Sequence, residues 1–554
     1  MVRAMAAGAC GICIAGAWLA ACGSTPSTRT APPRVACNAA NRVGEWRYAL
    51  VAPLYSDVEN ITRVELAAMW RGTGTHKLVV AADTRDALAP SLGTPRVELA
   101  SDRVEVSDER WAVVPADELT PLWKVITVDG KHPLTEVNAL VVPLCSPIAG
   151  RVRNIDPDAL TTVAMTGVTA MTRFTAKLMD VKGVTYPAQD VAPWFAHTDF
   201  VHVSNEVSFV STCEPKGEFT EPFCSRDNYI ELLDALHVNI VELTGDHLAD
   251  FGTRWFKHTI DMYEARGWKT FGGGRDQLAA TKPLLVEHHG NKLAFIGCNM
   301  PRSRKETIRS GPENAFCDES RLDWQVRDLR SRGYLPIVSL QHDEVRGHDP
   351  PHQLVRDFRR LAEAGAAAVF GSQAHVAHPF EVHAGAYLLY GAGNFIFDQP
   401  WESTRAGTAV RYYIHHGRLL TVAQLFTHLE EQGRPRPMTD DERKTFLHTL
   451  ADSLATLPPA KPWLAQDAAQ SDRQAPDSFL VDKAPVLLRI AKPVVEATRY
   501  PLVIDLRART AAADDAFTVT LRKWPSLPRK QLVRAITEFM TAKYPIDSDR
   551  VTIR

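Results

Sequence analysis

The sequence predicts an α/β protein: a layered central α/β domain, a small N-terminal α/β domain and a small C-terminal β-α module. Three observations carry this. From Thr161 onward strand-like and helix-like segments alternate, the pattern of strands covered by helices. Before it lies a region of short β-like runs, and after Leu457 a Pro/Ala/Gln/Asp-rich stretch leads into further strand-like runs. The 554-residue length agrees, since domains of roughly 100–200 residues give about three.

The chain opens with a short basic start at Arg3, then uncharged residues from Ala4 to Ala21 ending in Leu19-Ala20-Ala21-Cys22. This describes a secretory signal over 1–22. Leu-Ala-Ala-Cys is similar to a bacterial lipobox, which implies lipidation at Cys22; an uncleaved membrane anchor is the other reading. Residues 23–36 (GSTPSTRTAPPRVA) form a flexible tether. The expected location is therefore extracytoplasmic, held at the cell envelope through an N-terminal lipid in the membrane. The six later cysteines, Cys37, Cys145, Cys213, Cys224, Cys298 and Cys317, are disulfide candidates in an oxidising compartment.

Residues 37–150 form the N-terminal domain, with runs such as Lys77 to Ala81 and Trp123 to Gly130, bracketed by Cys37 and Cys145. Trp111 to Gly130 is similar to a periplasmic solute-binding-like lobe; a plain accessory domain fits equally. The central domain spans 161–456. Strands are expected at Val201–Ser204, Asn239–Leu243, Leu335–Leu340, Ala367–Phe370 and Tyr387–Tyr390, in one mostly parallel sheet. His288 to Asn291 reads as a hairpin turn. Trp255, Phe256, Thr259, Ile260 and Tyr263 mark one face of a helix that stops at Gly267. Residues 457–478 read as a linker. The 479–554 module, with strands at Val486–Ile490, Leu502–Leu506 and Phe517–Leu521 and a helix over Gln531–Ala542, holds 14 Lys/Arg against 8 Asp/Glu. Over the whole chain 63 Lys plus Arg face 65 Asp plus Glu, a net charge of −2 without the basic excess of a nucleic-acid binder.

In open α/β sheets ligands bind beyond the carboxyl ends of the strands. Here those ends carry Asn205 and Glu206, then Gly245, Asp246 and His247 with Asp250 a turn later, then Gln341, His342, Asp343 and Glu344, then Ser372, Gln373 and His375, and finally Asn394. Any one of these would ordinarily cap a helix or meet solvent. Their recurrence at five successive strand ends points to a site. Mixed carboxylate, imidazole and amide sets suit Zn²⁺, Mn²⁺ or Fe. His247 and Asp250, three residues apart, are placed for the carboxylate to orient the imidazole.

Val163 to Gln399 resembles the capsule-synthesis protein CapA family, linked to poly-γ-glutamate capsules and built on a calcineurin-like metallophosphatase fold. The motifs run in order: Thr166 to Arg173, Asp199 to Glu206, Leu243 to Gly252, Gly272 to Gly274, Gly371 to His375 and Tyr390 to Asp398. Several positions depart from the family pattern. Val168 stands where an Asp is usual, Gly245-Asp246-His247 replaces Asn-Asn-His, Gln341-His342-Asp343 replaces His-Trp-Gly, and Gly371 to His375 keeps one histidine of two. Valine cannot bind a metal and glutamine binds one poorly, so a standard two-metal centre lacks at least two ligands.

What the resemblance implies is a lipid-anchored envelope protein that makes or exports an extracellular anionic, polyglutamate-like polymer. Its expected partners are that polymer or its synthase and export complex. A single divalent ion would be held by Glu206, Asp246, His342 and His375. His247 would act as general acid or base with Asp250 behind it, and Asn205, Glu344, Gln373 and Asn394 would contact substrate. The alternative is a non-catalytic module binding polymer or a partner protein in the same cleft. Local pairs Cys213–Cys224 and Cys298–Cys317 are expected, although six cysteines allow 15 arrangements.

Overall fold

The computed structural model describes residues 41–100, 104–217, 221–300 and 313–459, apart from 343, 373 and 432, and five strands with part of a helix between 474 and 553. Cys22, Cys37 and Gln373 therefore lie outside the described residues.

The N-terminal sheet is built around the strand Gly44–Pro53, which pairs antiparallel with Arg110–Pro115, Trp123–Val128 and Val141–Leu144. Strand alternation sorts its side chains. Trp46, Tyr48, Leu50 and Ala52 pack with Leu66, Trp70 and Leu88 of the helices Arg63–Trp70 and Ala82–Leu92. Ala49 and Val51 face the other way, into a cluster with Tyr413 and Leu420 of the central domain. Thr62 starts the first helix with a capping box closed by Glu65.

Among the described residues the central domain contains two large sheets rather than the one expected, besides a two-stranded pairing of Gly273–Gly274 with Glu313–Asn314. The first runs Lys269–Phe271, Ile240–Glu242, Phe200–Asn205, Leu160–Thr169, Ala406–His415, Arg418–Glu430, Arg434–Pro437, with Asn394–Ile396 also on Leu160–Thr169. Its first four strands are parallel and the last three antiparallel. The second runs Leu284–His288, Asn291–Asn299, Leu335–Gln341, Ala368–Gly371, Ala386–Leu389, Phe380–His383. The sheets pack face to face through Val163, Met165, Ile240 and Phe271 against Phe295, Ile337, Phe370 and Leu389. Helices Arg173–Lys182, Ile230–Ala235 and Thr253–Ala265 cover the first sheet's outer face, and Glu319–Ser331 with His352–Ala364 cover the second's.

The layered α/β class thus holds, with four layers, but the five strands are divided between two sheets. Strands buried on both faces read as continuous apolar runs whichever sheet they join, so local pattern does not show the partition. The hairpin at His289-Gly290 forms as expected, with Gly290 at φ 73°.

The C-terminal module is a five-stranded sheet in the order Gln474–Val481, Ala484–Ala491, Phe517–Leu521, Tyr500–Asp505, Ile546–Ile553, with helical residues at 533–534, 536–537 and 540. Its first strand takes in residues 474–478, which the sequence reads as linker, and its last strand has no counterpart in the sequence reading. Pro476 weakens the strand signal in the first case, and the Asp547-Ser-Asp549 run does so in the second. Among the described residues Cys213–Cys224 and Cys298–Cys317 are joined as disulfides, the two local pairs expected, and Cys145 is disulfide-bonded as well.

Candidate functional site

The site is assembled where strands of both sheets end. Phe200–Asn205 delivers Glu206 and Ile240–Glu242 delivers Asp246 and His247. Gly245 makes this convergence sterically feasible: a Cβ there would lie 2.7 Å from Glu206 Cα, so only glycine lets the loop press against the neighbouring strand end. The loop backbone is held from the other side by Asn299, which donates to Thr244 O at 2.8 Å, and by Asn314, which donates to Thr244 O and Gly245 O, each at 3.1 Å. Ligand-type atoms of Glu206, Asp246 and His247 consequently fall within 4.8 Å of one another.

Glu206 is 2% exposed, and among the described residues neither of its carboxyl oxygens has a hydrogen-bond partner. Burial, and then the neighbouring Asp246, push its carboxyl well above the usual carboxylate range. Two buried oxygens with no donor among the described residues form a site that a divalent cation would satisfy, and the carboxylate and imidazole donors are the right chemistry for one.

His247 is set up differently. Its Nδ1–H donates to Asp250 Oδ2 at 2.8 Å. Burial opposes protonation of the ring, but the Asp250 hydrogen bond and the Glu206 and Asp246 charges outweigh it and hold the imidazole at about 9. The same Asp250 oxygen accepts from the Phe223 backbone N–H at 2.9 Å, and the Phe223 ring lies 4.1 Å from the imidazole centroid. Phe223 immediately precedes Cys224, so the Cys213–Cys224 bridge fixes the loop that caps the His247–Asp250 pair.

The opposite wall comes from the second sheet. Gln341 donates its amide to Asp246 Oδ1 at 3.0 Å. His375 Nδ1–H donates to Asn394 Oδ1 at 2.7 Å, an orientation fixed by the Asn394 amide donating to Gln399 Oε1 and Thr404 O. That leaves Nε2 of His375 with its lone pair, 4.0 Å from Glu344 Oε1. Burial lowers the His375 pKa, so the ring is neutral there.

Two expected site residues are placed elsewhere. His342 faces Asp357 of the helix His352–Ala364 at 3.4 Å, because strand alternation sends Gln341 and His342 to opposite faces and Gln341 takes the cleft side. Asn205 donates to Val207 O and to Tyr263 Oη, on the helix side of its strand. Asn394 is buried and orients His375 rather than meeting solvent, while Glu344 stands at the rim.

Two features went unread in the sequence. Arg173, at φ +47°, forks onto Asp398 Oδ1 (3.0 and 2.6 Å) and lies over the rings of Phe223 and Phe397. Both charges belong to the matched motifs, which was the available signal. The second is Glu242, fully buried beneath the site. It accepts from His202 Nε2 at 2.9 Å, Ser339 Oγ at 2.5 Å, Ser372 Oγ at 2.6 Å and the Thr244 hydroxyl. His202 belongs to the first sheet, while Ser339 and Ser372 come from the second, so this one carboxylate ties together the ends that carry the site.

The central part of the chain is similar to known proteins. The family model described as "Bacterial capsule synthesis protein PGA_cap" matches residues 162–399. The PGA biosynthesis protein CapA of Bacillus subtilis is 22% identical over 309 residues, covering 54% of this chain and 80% of that one. The capsule biosynthesis protein CapA of Bacillus anthracis is 20% identical over 304 residues, 53% of this chain and 73% of that one. A Mycobacterium tuberculosis protein named "Probable polyglutamine synthesis accessory protein" is 27% identical over 215 residues, 35% and 55% of the two chains. Solved structures give distant likenesses. A hypothetical protein of Thermus thermophilus has TM-score 0.31 and 13% identity, covering 49% of this chain and all of that one. The NAD nucleotidase of Haemophilus influenzae has TM-score 0.29 and 11% identity, covering 56% and 59%. Over residues 162–399 the chain is thus similar to the bacterial capsule synthesis protein family PGA_cap and, at low identity, to the CapA proteins of two Bacillus species.

Proposed function

We propose that this chain acts at the cell envelope, anchored through Cys22, on an anionic polyglutamate-like polymer during its synthesis or export, using a cleft that takes one divalent cation. The observation that carries the reading is the buried Glu206 carboxyl group, without a hydrogen-bond donor among the described residues, beside Asp246 and His247. The names of the relatives support the polymer class.

Glu206 and Asp246 would hold the cation, with His375 Nε2 turned toward the same cleft. When bound, such an ion supplies Lewis-acid polarisation of an amide or phosphate oxygen. The chain's own residues account for the rest. His247, protonated at neutral pH, is placed to hand a proton to a leaving group, and Asp250 holds the ring in that orientation through Nδ1. Phe223 shields one face of the imidazole from water.

A non-catalytic polymer-binding module is the second reading, and Gln341 favours it. Its amide occupies the Asp246 oxygen from the position where the family usually carries a histidine. Elemental analysis of the full-length protein separates the two. The catalytic reading expects a stoichiometric divalent ion, lost in Asp246→Ala and Glu206→Gln and retained in His342→Ala. Metal-free wild-type protein that still binds polymer overturns the catalytic reading and leaves the binding module.

A further inference from the structure

Asp246 lies in the cleft and Glu344 stands at its rim, and a polycarboxylate approaching these carboxylates is repelled unless a cation receives it. The described residues place an unused cation at one end of this cleft. Arg346 is exposed, and among the described residues no carboxylate lies within ion-pairing distance of its guanidinium. Its Cζ sits 5.3 Å from the ring centroid of Trp401, a tryptophan left 47% exposed.

The two partners belong to the loops that contact the two ends of the His375 ring. Glu344, two residues before Arg346, faces His375 Nε2. Gln399, two residues before Trp401, accepts from Asn394, which holds His375 Nδ1. The Thr404 hydroxyl donates to Trp401 O at 2.6 Å, while Thr404 O accepts from the same Asn394 amide. Trp401 is thereby tied to His375 through Thr404 and Asn394.

We infer that Arg346 and Trp401 form a subsite for one repeat unit of a carboxylate-bearing, amide-linked chain. This rests on the polymer reading above. A guanidinium gives a carboxylate two parallel donors, and an exposed indole gives a flat amide a surface to stack on. Together they match a repeat that alternates carboxylate and amide. Stacking on the indole also keeps the guanidinium extended, lowering the entropy lost when it binds. The subsite would hold the chain at the His375 end of the cleft and present the next amide toward Glu206, Asp246 and His247.

The test is calorimetric titration of the full-length protein with short poly-γ-glutamate oligomers and, separately, with polygalacturonate. Metal content and Tm are recorded alongside. Arg346→Ala and Trp401→Ala should each weaken poly-γ-glutamate binding about tenfold, with Arg346→Lys intermediate because it keeps the charge and loses the fork. Metal content and Tm should not change. If both alanine variants bind as wild type does, the subsite is wrong while the polymer reading stands. If the wild type prefers polygalacturonate, the amide-linked class is wrong. If it binds neither polymer, the subsite and the polymer reading fall together, whatever the metal content.

Discussion

Gln341 and Asp246 meet across the gap between the two central sheets, with the Gln341 amide donating to Asp246 Oδ1 at 3.0 Å. The donor occupies a lone pair that a cation would otherwise use. It is thus both a tether for Asp246 and a competitor for it.

Replacing the amide with an imidazole changes the chemistry at that point. Gln341→His should increase the affinity of the protein for Zn²⁺, since imidazole is a far better ligand than a carboxamide. Zn²⁺ titration with a competing chelator reads this directly. An affinity equal to wild type would show that the 341 side chain does not reach the ion.

Asp250→Asn should lower the pKa of His247 from about 9, because the Asp250 hydrogen bond is the largest contribution raising it while burial pulls the other way. NMR titration of the His247 ring in chelator-treated protein measures the shift. The sign for stability follows from linkage. A raised folded pKa gives stabilisation that is complete below the unfolded value of about 6.5 and lost as pH rises through about 9. The fall in Tm of the wild type across that window should shrink in the variant.

Glu242→Ala should destabilise the protein by about 3–5 kcal/mol, the usual penalty for breaking a buried, hydrogen-bonded charge pair, since it leaves His202, Ser339 and Ser372 without an acceptor. Burial alone would raise the Glu242 pKa, but the hydrogen bonds from His202, Ser339 and Ser372 outweigh it and hold it low. Its contribution is therefore present above the unfolded carboxylate pKa of about 4.3 and is lost as pH falls through the lower folded value. Urea denaturation at neutral and acid pH checks both statements. A change under about 1 kcal/mol would mean the network is not buried.

How much of this was legible in the sequence depends on the range of the interaction. The Asp246-His247 loop, the three-residue spacing to Asp250 and the hairpin at Gly290 are local, and local patterns show them. Gln341 rather than His342 facing the cleft depends on the phase of strand alternation, and in a strand buried on both faces no polar/apolar rhythm sets that phase. Glu242 was hidden for a related reason. It reads as one acid in a three-residue strand, and its partners lie 40, 97 and 130 residues away.

The Cys213–Cys224 bridge should be present in unreduced, alkylated protein, visible by mass spectrometry as a linked peptide pair. The double variant Cys213→Ser with Cys224→Ser should lose about 2–4 kcal/mol of stability. It should also broaden the His247 ring resonances, as Phe223 is freed from the imidazole and from Asp250. Free thiols at both positions in exported protein would contradict the assignment.

The way the N-terminal sheet sits on the central domain bears on how this protein can be cut for laboratory work. Ala49 and Val51 share a cluster with Tyr413 and Leu420, Tyr55 stacks on Phe380 at 4.3 Å, and Arg443 donates to Asp57 O at 2.9 Å. A truncation beginning near residue 160 would strip an apolar cover from the Tyr413–Leu420 hairpin and leave wet hydrophobic surface prone to self-association. Recombinant work on the central domain alone would be selecting for aggregates, so the two domains are best expressed as one piece.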